Sequence, residues 1–198
     1  EILHRYDDWT DTSYWPQSSR VHEDLRRRAK LAGDPLEKPG IVGAFCRTYD
    51  VEAAIEKFLP DVYEKCDKPN RYTYIPGSTA AGLIVYDDGK FVYSHHGTDP
   101  IGSKLCNAFD LVRIHMFGHL DEDVSIVDTP VNKLPSFLEM SDFAAKDEGV
   151  KLLLGKERLE RATEDFGEDV KEEDLQWVTQ LTTNKQGKIE STIDNCMK

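Results

Sequence analysis

The sequence predicts an α+β fold: a small antiparallel β-hairpin or sheet flanked by helices and followed by a helical extension. Three observations lead there. GLIVY (82–86) and KFVYSHH (90–96) are strand-like runs on either side of Asp87-Asp88-Gly89, a strong hairpin signal. Before them, Val51, Ala54, Ile55, Phe58 and Leu59 recur at helical spacing and share one face. From residue 121 onward the chain carries helix start and stop signals and no alternating run.

The elements follow in order. Residues 1–20 lack a clear period and read as an ordered arm, with Trp9, Tyr14 and Trp15 as anchors. Ser19 is placed to cap a helix through VHEDLRRRAKLA, which Gly33-Asp34-Pro35 stops. Asp50 is a good N-cap for VEAAIEKFL, and Pro60 limits that helix. RYTYI (71–75) alternates like a strand. After the hairpin, Asn107 is set to cap AFDLVRIHMF, with Asp110 at the third helical position and Gly118 as the stop. Ser136-Phe-Leu-Glu139 reads as a capping box, with Gly149 ending its helix. Residues 151–166 read as a helix weakened at Gly155, and a further helix is expected to carry Leu175, Trp177, Val178 and Leu181. Asn184–Gly187 reads as a turn and Ser191 as the cap of a last helix. Three regions result: an arm and helix over 1–36, an α+β module over 37–120, and an acidic helical linker over 121–198. Glu1 in place of Met, and a helix running into Lys198, read as the marks of a piece of a longer protein.

Charge and composition narrow the function classes. The chain has 198 residues and a net charge of −12, unevenly spread. Residues 121–198 hold 10 Lys/Arg against 19 Asp/Glu, whereas the first 120 are nearly balanced. An acidic tail argues against non-specific wrapping of nucleic acid, because phosphate attraction needs a basic surface. A local basic patch remains available around Arg26, Arg27, Arg28 and Lys30, beside Glu23 and Asp24. No apolar run approaches the roughly 18–20 residues of a membrane span, and no signal-peptide pattern opens the chain. Cys46, Cys66, Cys106 and Cys196 form no C-x-x-C pair and read as reduced thiols of a cytoplasmic protein.

The densest polar group is Ser94-His95-His96-Gly97-Thr98-Asp99-Pro100, followed by Cys106, Asn107 and Asp110. It spans a strand end, a loop and a helix start, where anions bind readily. A zinc site would draw on His95 or His96 with Cys106 and Cys46 or Cys66. The spacing is poor for one, and adjacent histidines on a strand point to opposite faces. The plainer reading has one histidine packed inward, hydrogen-bonded to Asp99 or to backbone, and the other exposed. A divalent-ion nuclease would use His95, His96, Asp99 and Asp110, but no H-E-x-x-H pattern supports it. Ser94-His95-His96 also fits the Ser-x-His motif of archaeo-eukaryotic primases. Its upstream D-x-D partner is missing, since Asp121-Glu122-Asp123 lies downstream. No G-x-x-x-x-G-K-[ST] loop is present in the sequence.

Residues 40–63, 71–100, 106–123 and 176–195, above all SHHGTDP with CNAFDLVR, resemble the central region of phage and prophage replication proteins of the virulence-associated E family. The resemblance implies a segment between a primase-polymerase domain and a superfamily-three-like helicase, lacking both catalytic centres. A weaker likeness, of a hairpin ending in His and followed by CNAFDLV, is to the zinc-ribbon domain of bacterial primases with its ligands depleted. The function expected is therefore a non-catalytic DNA-binding or domain-coupling module, with flanking primase and helicase domains as partners and no cofactor of its own. Single-stranded or template DNA would meet Arg71, Tyr72, Tyr74, His95, His96 and Arg113, since aromatic faces stack on bases and cations meet phosphate. The competing class is a protein-interaction scaffold without DNA contact, favoured by the acidic helical region.

Overall fold

A computed structural model describes residues 10–11, 19–125, 129–166, 177, 179–184 and 187–197. It is an α+β fold in which helices cover a five-stranded antiparallel sheet whose spatial order equals its chain order. Ser19–Ala32 (α1) precedes Gly40–Thr48 (α2) and Val51–Phe58 (α3). The strands are Tyr63–Lys65 (β1), Arg71–Tyr74 (β2), Leu83–Tyr86 (β3), Phe91–Ser94 (β4) and Leu105–Cys106 (β5). Then come Ala108–Phe117 (α4), a 3-10 turn at Gly118–Asp121, another at Val131–Lys133, Pro135–Lys146 (α5), Glu148–Phe166 (α6) and Ile193–Cys196 (α7).

The hairpin forms where expected, with Tyr86 opposite Phe91. Asp87, Asp88 and Gly89 all have left-handed backbone, with φ of 53°, 52° and 88°. Asp88-Gly89 thus sits at the two central positions that a primed hairpin turn needs. The turn docks on α3: the Val51 N–H donates to the Gly89 carbonyl at 2.9 Å, and a β-carbon on Gly89 would sit 3.2 Å from Asp50. Asp50 caps α3 by accepting from the Ala53 N–H at 2.7 Å, and Asn107 caps α4 through the Asp110 N–H at 2.9 Å.

Strand register separates the two faces of the sheet. Side chains directly opposite one another share a face, and parity alternates along each strand. Lys65, Tyr72, Leu83 and Ser94 form one row, and Val85, Val92 and Cys106 form the next. Tyr72, Leu83, Val85, Val92 and Cys106 belong to the hydrophobic core with Ile41, Phe45, Val51, Ile55, Phe109, Leu111 and Val112, so this face is the inner one. Phe45 is fully enclosed, with ring contacts to Tyr49, Phe58 and Phe109. Burying one such side chain stabilises the fold by about 1.5–3 kcal/mol before entropy is counted. Met140, Ala144, Ala145 and Val150 join the same core, so packing continues across residue 120 into the acidic region.

Several local expectations need correction. Residues 40–48 form a helix despite two glycines, because Ile41, Ala44, Phe45 and Cys46 are all buried. Ser19 is itself the first residue of α1. Ser136 does not begin a capping box. It lies buried in the first turn of α5, and a remote carboxylate does the capping: Asp121 accepts from the Ser136 N–H at 2.9 Å and from its hydroxyl. That helix ends at Lys146 rather than at Gly149. Asp147 then starts α6 by accepting from the Val150 N–H at 3.1 Å, and α6 runs unbroken through Gly155. Thr192, not Ser191, caps α7 through the Asn195 N–H at 3.3 Å. At the ends of the expected turn the Gly187 N–H donates to the Asn184 carbonyl at 2.8 Å, residues 185–186 lying outside the described residues. Trp9, Tyr14, Trp15, Leu175 and Val178 lie outside the described residues. No described helix is long and apolar enough to cross a membrane.

Candidate nucleic-acid interface

Opposite the core, the sheet presents a second row that crosses four strands: Arg71, Ile84, Tyr93 and Leu105. Tyr86 and Phe91 pair two residues further along the same face. His95, just past the end of β4, meets the Tyr93 ring edge-on at 4.8 Å between centroids. This outer face therefore joins one guanidinium to an array of rings. Arg71 is aimed by its neighbour, donating from Nη1 to the Ala81 carbonyl at 2.9 Å. His95 is exposed, yet its ring is partly desolvated. That desolvation, reinforced by the Arg71 guanidinium, holds its imidazole below the ordinary histidine value.

Helix α1 lies along this face. It carries five cations, Arg20, Arg26, Arg27, Arg28 and Lys30, against Glu23 and Asp24, a local surplus of +3 on a chain of −12. Leu25 is its one buried residue, and Arg28 donates to the Ser103 carbonyl at 3.3 Å. Asp24 holds Arg27 at 2.6 Å and Arg28 at 2.8 Å, which neutralises part of the surplus. Arg26 and Lys30 are exposed. Because one leucine cannot fill the space between helix and sheet, clefts remain on both sides of it. One, of about 640 Å³, is lined by Arg20, Glu23, Asp24, Arg27 and Tyr93. The other, of about 430 Å³, is lined by His22, Arg26, Tyr86, Asp87, Phe91 and Leu105.

The six residues expected to meet DNA separate in space. Arg71 and His95 lie together on the outer face. Tyr72 and Tyr74 alternate with Arg71 and point inward. Tyr72 is 2% exposed in the core, and Tyr74 packs against Tyr63, His96 and His115. His96 is buried, its Nε2 accepting from the Ser78 N–H at 3.0 Å and its Nδ1 lying 3.0 Å from the Thr98 hydroxyl. A β-carbon on Gly77 would fall 2.4 Å from His96 Nε2, so that loop is fitted against the ring. Arg113 is the clearest correction, because it is not available to a phosphate. It is 8% exposed, donating from Nε to Asp110 at 3.0 Å and from Nη1 to the Ser136 hydroxyl at 2.8 Å, with Asp121 at 3.8 Å. It ties α4 to the start of α5.

The polar cluster that dominates the sequence is largely internal. Asp99 is buried, and the Tyr63 hydroxyl donates to its oxygens at 3.0 and 3.1 Å. His115 Nε2 lies 2.7 Å from the Tyr63 oxygen and 3.4 Å from Asp99. Burial alone would raise the Asp99 carboxyl. Hydrogen bonds from His115, Ser94 and the Ile101 N–H outweigh it and hold the group below the usual carboxylate range. Burial and the Asp99 charge push the Tyr63 phenol far up, so it stays protonated and donates. This network folds the 95–104 loop onto β1 and α4 and borders neither α1 cleft.

Among the described residues, no three His, Cys, Asp or Glu side chains converge as metal ligands would. His95 and His96 diverge as strand parity requires. Burial raises the thiols of Cys46 to about 11 and Cys106 to about 12. Comparison with family models, curated proteins and solved structures returns no match for this chain.

Proposed function

We propose that this chain is a non-catalytic module that binds single-stranded DNA within a phage-type primase–helicase, holding template between priming and unwinding. The observation that carries the reading is the outer sheet face, where Arg71, Tyr86, Tyr93 and His95 lie on one surface beneath a helix with a surplus of cations. Bases stack on rings whatever their identity, and guanidinium groups meet the phosphates between them. The local surplus of cations on α1, set in an acidic chain, favours a short, defined contact over wrapping. The resemblance to virulence-associated E replication proteins supplies the setting, with catalytic centres in neighbouring domains.

Fluorescence anisotropy of a labelled oligothymidylate, titrated across salt concentration, tests this. Affinity is expected to fall steeply as salt rises, and Arg71→Ala to lower the salt slope by about 1. Absence of binding at low salt would refute the assignment. It would favour a scaffold role, to which Leu138 and Val131, 45% and 51% exposed on the acidic side, would contribute.

A further inference from the structure

On α1 the carboxylate of Asp24 takes one guanidinium on each of its oxygens. Arg27 Nη2 lies 2.6 Å from one and Arg28 Nε 2.8 Å from the other. Spacings of three and four residues put the three side chains on one flank of the helix. Guanidinium N–H groups serve carboxylates and phosphates alike, so a phosphodiester would draw on the same donors. Asp24 therefore stands where a strand phosphate would stand. The Arg27 hydrogen bond, with the Arg28 charge beside it, holds its carboxyl below the usual carboxylate range, so the group is ionised at neutral pH.

The pair also faces the right space. Asp24 and Arg27 line the 640 Å³ cleft together with Tyr93, a ring of the outer sheet face. The Arg27 side chain is 75% exposed and that of Asp24 33%. Exposed pairs of this kind are weak and are screened by salt, so a phosphate can displace the carboxylate. Arg28 is more restrained, because it also donates to the Ser103 carbonyl at 3.3 Å. Glu23 lines the same cleft with the same charge, while both guanidiniums bond Asp24.

We infer that Arg27 is a phosphate contact for the bound strand and that Asp24 competes with the phosphate for it, setting the strength of binding at this cleft. This rests on the single-strand reading and adds to it a brake built into α1. Ring stacking plays no part in the brake, which acts through one carboxylate and one guanidinium.

The test measures binding of labelled oligothymidylate by the full chain and by Asp24→Asn, Glu23→Gln, Arg27→Ala and the double variant Asp24→Asn/Arg27→Ala. Circular dichroism of each confirms an equal helical content. At low salt Asp24→Asn is expected to bind about three- to fivefold more tightly than the wild type, the worth of two exposed helical pairs. Glu23→Gln, which removes the same charge from the same cleft, is expected to gain less than about twofold, and both gains shrink as salt rises. The double variant is expected to fall back to within about twofold of Arg27→Ala alone, because the gain passes through Arg27. Equal gains from Asp24→Asn and Glu23→Gln would overturn the brake, since a general field would then explain both. A gain that survives without Arg27, or no gain from Asp24→Asn, would overturn it too, and in each case single-strand binding by the sheet face stands. Binding by Asp24→Asn but not by the wild type keeps the brake and sinks the single-strand reading for the natural chain. Failure of both to bind removes the two readings together.

Discussion

Tyr72 and Tyr93 are both strand tyrosines of one small sheet, yet they belong to different surfaces. Tyr72 shares its row with Leu83 and Ser94, all buried, and packs with Val85, Val92 and Cys106 against α2, α3 and α4. Tyr93 shares its row with Arg71 and looks onto α1, a helix with one buried residue, Leu25. The two arginines divide in the same way. Arg113 is enclosed by Asp110, Ser136 and Asp121, whereas Arg71 is half-buried beside exposed His95. Residue type does not separate these pairs. Position relative to the pleat and the neighbouring helix does.

The contrast can be broken most forcefully at Arg113. Removing it leaves Asp121 and Ser136 buried without their cation, so Arg113→Ala is expected to cost about 3–5 kcal/mol in denaturant unfolding. DNA affinity of the folded fraction should stay unchanged, and a stable Arg113→Ala protein that has lost DNA binding would reverse the assignment. Tyr93→Ala should do the opposite. The loss expected is about 1–3 kcal/mol in single-strand affinity, with stability altered by only about 1 kcal/mol. Asp99 sharpens the inner side through pH. Its folded-state value is depressed, so its stabilisation is present above the unfolded carboxylate range near 4 and is lost as pH falls through the folded value. Asp99→Asn should therefore lose stability at neutral pH and flatten the acid limb of a stability–pH curve. The smallest effect belongs to His95. Its imidazole lies below the ordinary histidine value, so it gains charge only on acidification, and single-strand affinity should then rise modestly. His95→Ala should remove that rise, as anisotropy titrations at two pH values would show.

Much of the fold is legible in the sequence because its signals are local. The Asp-Asp-Gly turn, the Asp50 and Asn107 caps and the α3 periodicity each depend on a few adjacent residues. What escapes is what depends on distant partners. Residues 40–48 offer poor helix propensity and are held helical by burial of Ile41, Ala44, Phe45 and Cys46. β1 and β5, three and two residues long, exist only because β2 and β4 supply their pairing. The Ser136 capping signal fails because Asp121, fifteen residues earlier, reaches the same N–H first. For the proposed interface, residue type points to Arg71 and His95, whereas strand parity sets Tyr72, Tyr74 and His96 on the opposite face. Phe91, Tyr93 and His95 share one parity along the chain, and that alternation was a usable signal for Tyr93.

Helix α1 is held by one buried leucine, the His22 ring edge-on to Tyr86 and the Arg28 bond to the Ser103 carbonyl, and this light attachment should give it a different lifetime from the rest of the molecule. With one buried side chain against the many that hold α2, α4 and α5, it can lift from the sheet without disturbing the core beneath. Its amide protons should exchange with deuterated solvent through this partial opening, far sooner than those of β3 and β4. On the proposed single-strand reading, a strand would enter sideways as the helix lifts and be retained as it settles.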